Sequence, residues 1–200
     1  MKMVNKICVV GLGYIGLPTA AVFAGKGIDV IGVDTRRELV EAVNQGRPHF
    51  GEPNLDALVR RVVEDKKLRA AMTPEPADAF LIAVPTPFKG DKQPDLSYIE
   101  AAAASIAPML EKGNLIILES TSPIGATEMM TNLLAGLRKD LSFPTQMGEL
   151  SDIRVAHCPE RVLPGRILEE VVNNARIIGG MTRKCAQQAV SLYKIVVEGE

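Results

Sequence analysis

Short apolar runs alternate along this chain with stretches whose apolar residues recur every three or four positions. The runs at 7–10, 30–33, 80–84, 115–118 and 153–156 have the length and composition of buried strands. Briefer strands are expected at 72–73 and 176–178, the latter followed by a Gly179-Gly180 turn. Between the runs the period lengthens to that of helices. Leu17, Ala20, Ala21 and Ala24 share one face, and Gly27 sits where that helix should end. Leu39, Ala42 and Val43 mark a short helix over 38–45, closed by Gly46. Leu55, Leu58, Val59, Val62 and Val63 form one stripe behind an Asn54 cap, with Arg60, Arg61, Glu64, Asp65, Lys66 and Lys67 facing solvent. An alanine-rich helix over 98–110 starts from Asp95 or Ser97, and Ser97 with Glu100 has the capping-box spacing. A further helix starts at Thr127 and runs to Leu137, and segments 138–146 and 148–152 read as loop. Thr182 opens a last helix with Ala186, Ala189, Val190 and Tyr193 on its inner face. Alternation of this kind predicts an α/β fold with a mostly parallel sheet covered by helices on both faces.

The first unit carries the most chemistry. The run at 7–10 empties into Gly11-Leu12-Gly13-Tyr14-Ile15-Gly16, a helix follows, and a second run ends in Asp34. Gly11 permits the tight turn, Gly13 lets backbone approach a pyrophosphate, and Gly16 lets helix and strand pack closely. The exposed N–H groups at the start of the following helix lie at the positive end of its dipole, facing any phosphate held there. Asp34 lies 18 residues beyond Gly16, where a carboxylate accepts both ribose hydroxyls of an adenosine and repels a 2′-phosphate. This favours a doubly wound, Rossmann-type fold and NAD over NADP, although Arg36 or Arg37 could pair with a phosphate or stack on adenine. A methyltransferase binding S-adenosylmethionine shares the same strand–loop–helix–acid layout, and a glycine turn serving packing alone is the bland reading.

Three later strand ends add candidates. Pro85-Thr86-Pro87 fixes an extended corner at a strand's carboxyl end, so Thr86 is either a cofactor contact or an idle hydroxyl in a stiff turn. Glu119-Ser120-Thr121-Ser122-Pro123 repeats that arrangement. Thr127 is placed for a helix cap or for a contact into the cleft. His157 and Cys158 are adjacent on extended chain and point to opposite faces, so they form no dyad and read as structural. Glu160 and Arg161 follow as a charged pair in the cleft.

Composition narrows the classes. With 46% hydrophobic and 24% charged residues in 200, the chain buries a full core and is not disordered. A net charge of −1, no Trp and 4% aromatic residues argue against a nucleic-acid partner. The run at 7–10 is too short to span a membrane and is broken by glycines, so no membrane association is expected. Three cysteines without CxxC spacing imply neither a disulfide framework nor a zinc site, so no metal is expected and a reducing cytoplasm is the default.

Taken in order, GLGYIGLP with Asp34, AVPTP, ESTSPIGATE, and HCPERVLPG followed by IIGGMT strongly resemble the nucleotide-sugar 6-dehydrogenases (the UDP-glucose/GDP-mannose dehydrogenase family). Members oxidise a UDP- or GDP-sugar alcohol to its uronic acid with two NAD, for polysaccharide biosynthesis. CPERVLPG, with PTPFKGD upstream, is most similar to the branch acting on UDP-N-acetyl-D-mannosamine; UDP-glucose enzymes more usually carry Phe after the glutamate. The resemblance implies that Tyr14, Ile15, Asp34, Thr86 and Thr127 contact NAD and that Thr121 lies near the reacting carbon. It implies a part for Glu160 in the aldehyde-to-acid step and substrate contacts for Arg161 and Val162. It also implies a homodimer of the full-length enzyme. The family's catalytic cysteine, lysine and asparagine have no counterpart among these residues. Residues 1–200 are therefore expected to be the NAD-binding domain, ending where the family's central helix begins, and to be catalytically incomplete. A module that only senses NAD, or the cofactor domain of a UDP-glucose/GDP-mannose or 3-hydroxyacid-type dehydrogenase, are the alternatives.

Overall fold

The computed structural model describes residues 4–90 and 92–199; Met1 to Met3, Asp91 of the PTPFKGD motif and Glu200 lie outside the described residues. Strands β1 (Lys6–Val10), β2 (Asp29–Val33) and β3 (Leu68–Ala71) run parallel, with β2 between the other two. On the other side of β1 the sheet continues in parallel through β4 (Ala79–Ile82), β7 (Leu115–Leu118) and β8 (Arg154–His157). A last strand, β9 (Gly179–Gly180), closes the edge antiparallel to β8, giving the order β3-β2-β1-β4-β7-β8-β9. Strands β5 (Phe88–Lys89) and β6 (Gln93–Pro94) form a separate two-stranded ribbon. The sheet is thus mostly parallel and doubly wound, as the alternation predicts.

Alternate residues of β1 feed the two layers. Ile7 and Val9 enter a core with α1 (Gly16–Gly25), α2 (Arg37–Asn44), α3 (Leu55–Glu64), α7 (Ile167–Asn173) and α8 (Arg183–Tyr193). Cys8 and Val10 enter the opposite core with α4 (Ser97–Ile106) and α5 (Ala126–Leu137). A one-residue register slip in β1 would exchange these sets, which is why an uninterrupted apolar strand still has one register.

Several local expectations are corrected. Helix α1 is buried on every side from Gly16 to Ala24, because α3 and α7 both pack against it; it has no solvent face. The strand expected at 72–73 lies at β3, where Leu68 and Ala70 point inward and Arg69 outward. The strand expected at 176–178 is displaced to Gly179–Gly180, because Arg176 turns inward to an ion pair. Asn54 precedes α3 with φ 64° and makes no side-chain cap. Ser97 forms no capping box, since its hydroxyl donates to Asp95 Oδ1 at 2.6 Å. Gly125, not Thr127, holds the cap position of α5. The inner face of α8 is Cys185, Ala189, Leu192 and Tyr193, with Val190 outside. Segment 138–152 is not all loop: it carries α6 (Pro144–Met147) and a single 3-10 turn.

Chain order reverses direction between β1 and β4, which lie side by side in the sheet. That switch point is where an open α/β sheet holds its ligand.

Candidate functional site

The loop after β1 is built by steric necessity. Gly11 adopts φ +94°, and a Cβ there would stand 2.5 Å from the Ala83 carbonyl oxygen. A Cβ on Gly16 would stand 1.8 Å from the Gly11 oxygen, so α1 approaches its own loop as closely as two backbones allow. At Gly13 a Cβ would meet nothing within 4 Å. The two outer glycines are therefore required by packing, while Gly13 borders open space at the amino end of a ten-residue helix. A cradle of this shape fits a pyrophosphate.

That open space belongs to a cavity of about 760 Å³. It brings together Gly11, Gly13, Tyr14, Ile15, Asp34 and Thr86 with Thr121, Glu160, Arg161 and Val162. Gly16 and Thr127 are outside its lining: Gly16 packs inside the fold, and Thr127 sits in the first turn of α5. Tyr14 is 55% exposed and stacks on Phe50, from the loop before α3, with ring centroids 4.3 Å apart. The loop after β8 forms one wall of the cavity. Glu52 pins it, accepting from the backbone N–H groups of Gly165 at 2.9 Å and Ile167 at 2.6 Å.

Asp34 follows β2 and accepts from Leu12 N at 3.0 Å, which ties the glycine loop to the next strand. Its other oxygen accepts from Arg36 N at 3.0 Å and from Arg36 Nε at 3.2 Å. Burial raises its pKa, but the Arg36 side chain and backbone, with Leu12 N–H, more than offset that and hold the carboxyl below its ordinary range. Asp34 is thus an anchored anion, with Arg36 as its partner. A second cavity of about 430 Å³ adjoins it, lined by Val33, Arg36, Met72, Tyr98 and Ala101 among others.

At the other end, Thr86 Oγ1 donates to the Thr121 carbonyl at 2.6 Å, and Ser120 Oγ donates to the Val84 carbonyl at 2.7 Å. These bonds lock the ends of β4 and β7 together. Glu160 and Arg161 do not pair as side chains. Glu160 is bound by Arg176, while Arg161 Nη2 donates to the Ala175 carbonyl at 3.0 Å. Arg176 also lies over the Tyr193 ring, 5.2 Å from its centroid, and the Tyr193 hydroxyl donates to Glu119 Oε1 at 2.6 Å. A buried relay of side chains, Glu160–Arg176–Tyr193–Glu119, therefore joins α8 to the cleft floor.

Glu119, Arg176 and Tyr193 were not singled out from sequence. An acid directly after the apolar run at 115–118 is the one signal that could have flagged them, because a strand end that deep is seldom wet. Burial pushes the Glu119 carboxyl up to about 7, against the lowering effects of Tyr193 and Arg176. A raised acid pKa stabilises the fold fully below the unfolded value near 4.5, and that contribution is lost as pH rises through about 7. Wild-type stability is accordingly expected to fall by roughly 2–3 kcal/mol between pH 5 and 8 from this group. Glu119→Gln should flatten that slope in denaturant titrations at the two pH values; an unchanged slope would refute the assignment.

Cys8, Cys158 and Cys185 are free and all 0% exposed. Burial raises the Cys8 thiol to about 12 and the Cys158 thiol to about 11, and Glu119 adds to the latter. His157 Nδ1 lies 2.8 Å from the Leu118 carbonyl, so both members of the adjacent pair have structural roles. Among the described residues, no cluster of three His, Cys, Asp or Glu could hold a metal, and no helix is long and apolar enough to cross a membrane.

Comparison with known proteins fits this geometry. A model of the UDP-glucose/GDP-mannose dehydrogenase family, NAD binding domain, matches residues 5–197. A UDP-N-acetyl-D-mannosamine dehydrogenase of Campylobacter jejuni is 62% identical over all of this chain and 49% of its own length. An NDP-N-acetyl-D-galactosaminuronic acid dehydrogenase of Ralstonia nicotianae is 64% identical over 96% of this chain and 46% of its own. The solved UDP-D-ManNAc dehydrogenase of Pyrococcus horikoshii superposes with a TM-score of 0.90 at 44% identity, covering 98% of this chain and 46% of that one. The chain spans about half the length of the curated relatives it matches.

Proposed function

Because the chain belongs to the UDP-glucose/GDP-mannose dehydrogenase family and carries its NAD-binding domain, we propose that it serves an enzyme oxidising the C6 alcohol of UDP-N-acetyl-D-mannosamine to the uronic acid. The observation that carries this reading is a single cleft. It has an open glycine cradle and an anchored Asp34 at one end, and Thr121, Glu160, Arg161 and Val162 at the other. In this reading Asp34 accepts the adenosine ribose hydroxyls, and the N–H groups of Tyr14 and Ile15 face the pyrophosphate. Thr86 and Thr127 border the cofactor, the latter from α5. Bound NAD supplies the hydride acceptor. Thr121 stands beside the sugar carbon that is oxidised, and Arg161 and Val162 hold the nucleotide sugar. Glu160, fixed by Arg176, takes part in turning the aldehyde into the acid. Residues 1–200 are the cofactor unit of this enzyme.

The Ralstonia relative, at 64% identity, supports a second reading in which the sugar is an N-acetylgalactosamine derivative. Both readings share an N-acetylated hexosamine and the same cofactor. Three free cysteines suit a reducing compartment, and we place the enzyme in the cytoplasm, feeding polysaccharide biosynthesis.

Calorimetric titration with NAD and NADP tests the cofactor half of the proposal. NAD should bind more tightly, since a 2′-phosphate would be set against the Asp34 carboxylate. Asp34→Asn should cost about 1.5–3 kcal/mol of NAD affinity, the worth of hydrogen bonds to a charged acceptor. Tighter binding of NADP would instead make Arg36 a phosphate ligand and overturn the Asp34 role.

A further inference from the structure

The Glu119 carboxyl is only 2% exposed, yet it lines the same cleft as Gly13 and Asp34. Among the described residues, three buried side-chain polar atoms lack a partner: Thr19 Oγ1, Glu119 Oε2 and Arg176 Nε. Of these, only Glu119 belongs to a residue of the cleft lining. Its neighbours there are already committed. Thr86 and Ser120 spend their hydroxyls on backbone carbonyls, and Glu160 is held by Arg176. Glu119 Oε1 is taken by Tyr193, which leaves Oε2 as a buried oxygen of the lining with no partner among the described residues.

We propose that Glu119 is a proton-exchanging contact for the nicotinamide end of the cofactor, meeting the cationic oxidised ring as a carboxylate and the neutral reduced ring as an acid. This rests on the NAD reading given above. With adenosine at Asp34 after β2 and pyrophosphate at the loop after β1, the remaining half of a dinucleotide extends over β4 and β7. Glu119 follows β7, three strand spacings or about 14 Å from the Asp34 strand. A positive ring within a few ångströms of a buried carboxyl favours its charged form, and a neutral ring that excludes water favours the acid.

The groups facing Glu119 leave it free to respond. Tyr193, on α8, is buried, which raises its pKa well above 10, so it remains a donor throughout the neutral range. Arg176, before β9, draws the carboxyl toward the anion, but its charge is shared with Glu160, which pushes the other way. Cys158, after β8, is a neutral buried thiol. With the carboxyl titrating near 7, each form is populated in neutral buffer.

A carboxyl that merely braced α8 through Tyr193 would exchange no proton when a cofactor binds. The test is calorimetric titration of the chain at pH 7 with NAD+, NADH and ADP-ribose, each in two buffers of different ionisation enthalpy. NAD+ should release, and NADH should take up, up to about half a proton per site, as for a half-titrated group. ADP-ribose, lacking the nicotinamide, should do neither. Glu119→Gln should abolish both exchanges and weaken NAD+ on the order of 10-fold relative to NADH, one pKa unit's worth. If all three ligands bind with the same proton balance, or if the exchange survives in Glu119→Gln, the role for Glu119 is overturned. The comparison among ligands decides this on the wild-type chain even where the variant is unstable. If none of the three binds, the cofactor reading itself falls and takes this inference with it.

Discussion

Gly13→Val is expected to yield a folded chain that no longer binds NAD(H). The three glycines of the loop differ in what a side chain would meet at each. A Cβ at Gly16 would lie 1.8 Å from the Gly11 oxygen, so even Gly16→Ala must open the loop or move α1. A Cβ at Gly13 meets no protein atom within 4 Å, so the folded state has room for a valine. In the proposed reading that room is the pyrophosphate's approach to the helix amino end. A valine there holds the phosphates off the backbone N–H groups, and each charge-assisted bond lost costs about 1.5–3 kcal/mol. Losing two weakens binding by roughly 100-fold or more. Thermal unfolding of the variant should match wild type, and calorimetry should show no NAD heat. Binding at wild-type affinity, or an unfolded variant, would remove the role given to Gly13.

The legible parts of this fold are those whose environment is set by near neighbours. The run 115–118 reads as a central strand because both its faces are covered, which makes it apolar at every position. Edge strands lose that signal: β3 is Leu-Arg-Ala-Ala with Arg69 exposed, and β9 is two glycines, so both were expected a few residues away. The cleft residues were legible as strand ends, since Gly11, Asp34, Thr86, Thr121 and Glu160 each follow an apolar run and the winding rule gathers such ends. The relay beneath them was not. Tyr193 lies 74 residues from Glu119, and Arg176 lies 16 from Glu160. In sequence Tyr193 is one more apolar residue of a helix face. Only the packing of α8 against the sheet gives its hydroxyl a carboxyl to reach. Glu160 and Arg161 both line the cleft, but the partner that holds Glu160 was hidden for the same reason, because Arg176 arrives from another segment.

Mixed with NAD and UDP-N-acetyl-D-mannosamine, these 200 residues are expected to give no sustained NADH and no uronic acid. Oxidation of an alcohol to an acid takes two hydride transfers with an aldehyde between them. One balanced route needs a thiolate, which adds to that aldehyde as a thiohemiacetal; a second hydride leaves to give a thioester, and water hydrolyses it to the acid. The three thiols in hand do not meet that need. All are 0% exposed, and Cys158, the one beside the cleft residues, is raised to about 11 by burial and by the nearby Glu119. A thiol held that far above neutral pH is almost wholly protonated, and the protonated form is a poor nucleophile. Removing a nucleophile costs on the order of 10⁴-fold or more where such losses have been dissected. In the proposed reading these residues supply only part of the sugar pocket, which gives up much of the binding energy that would orient the C6 alcohol. NADH absorbance with chromatographic detection of the acid measures this directly. Supplying, as a separate polypeptide, the portion that the relatives carry beyond the matched span should restore turnover. Steady NADH with acid product from these residues alone would mean that a cysteine leaves its buried position to act, and the assignment of residues 1–200 as a cofactor unit would fail.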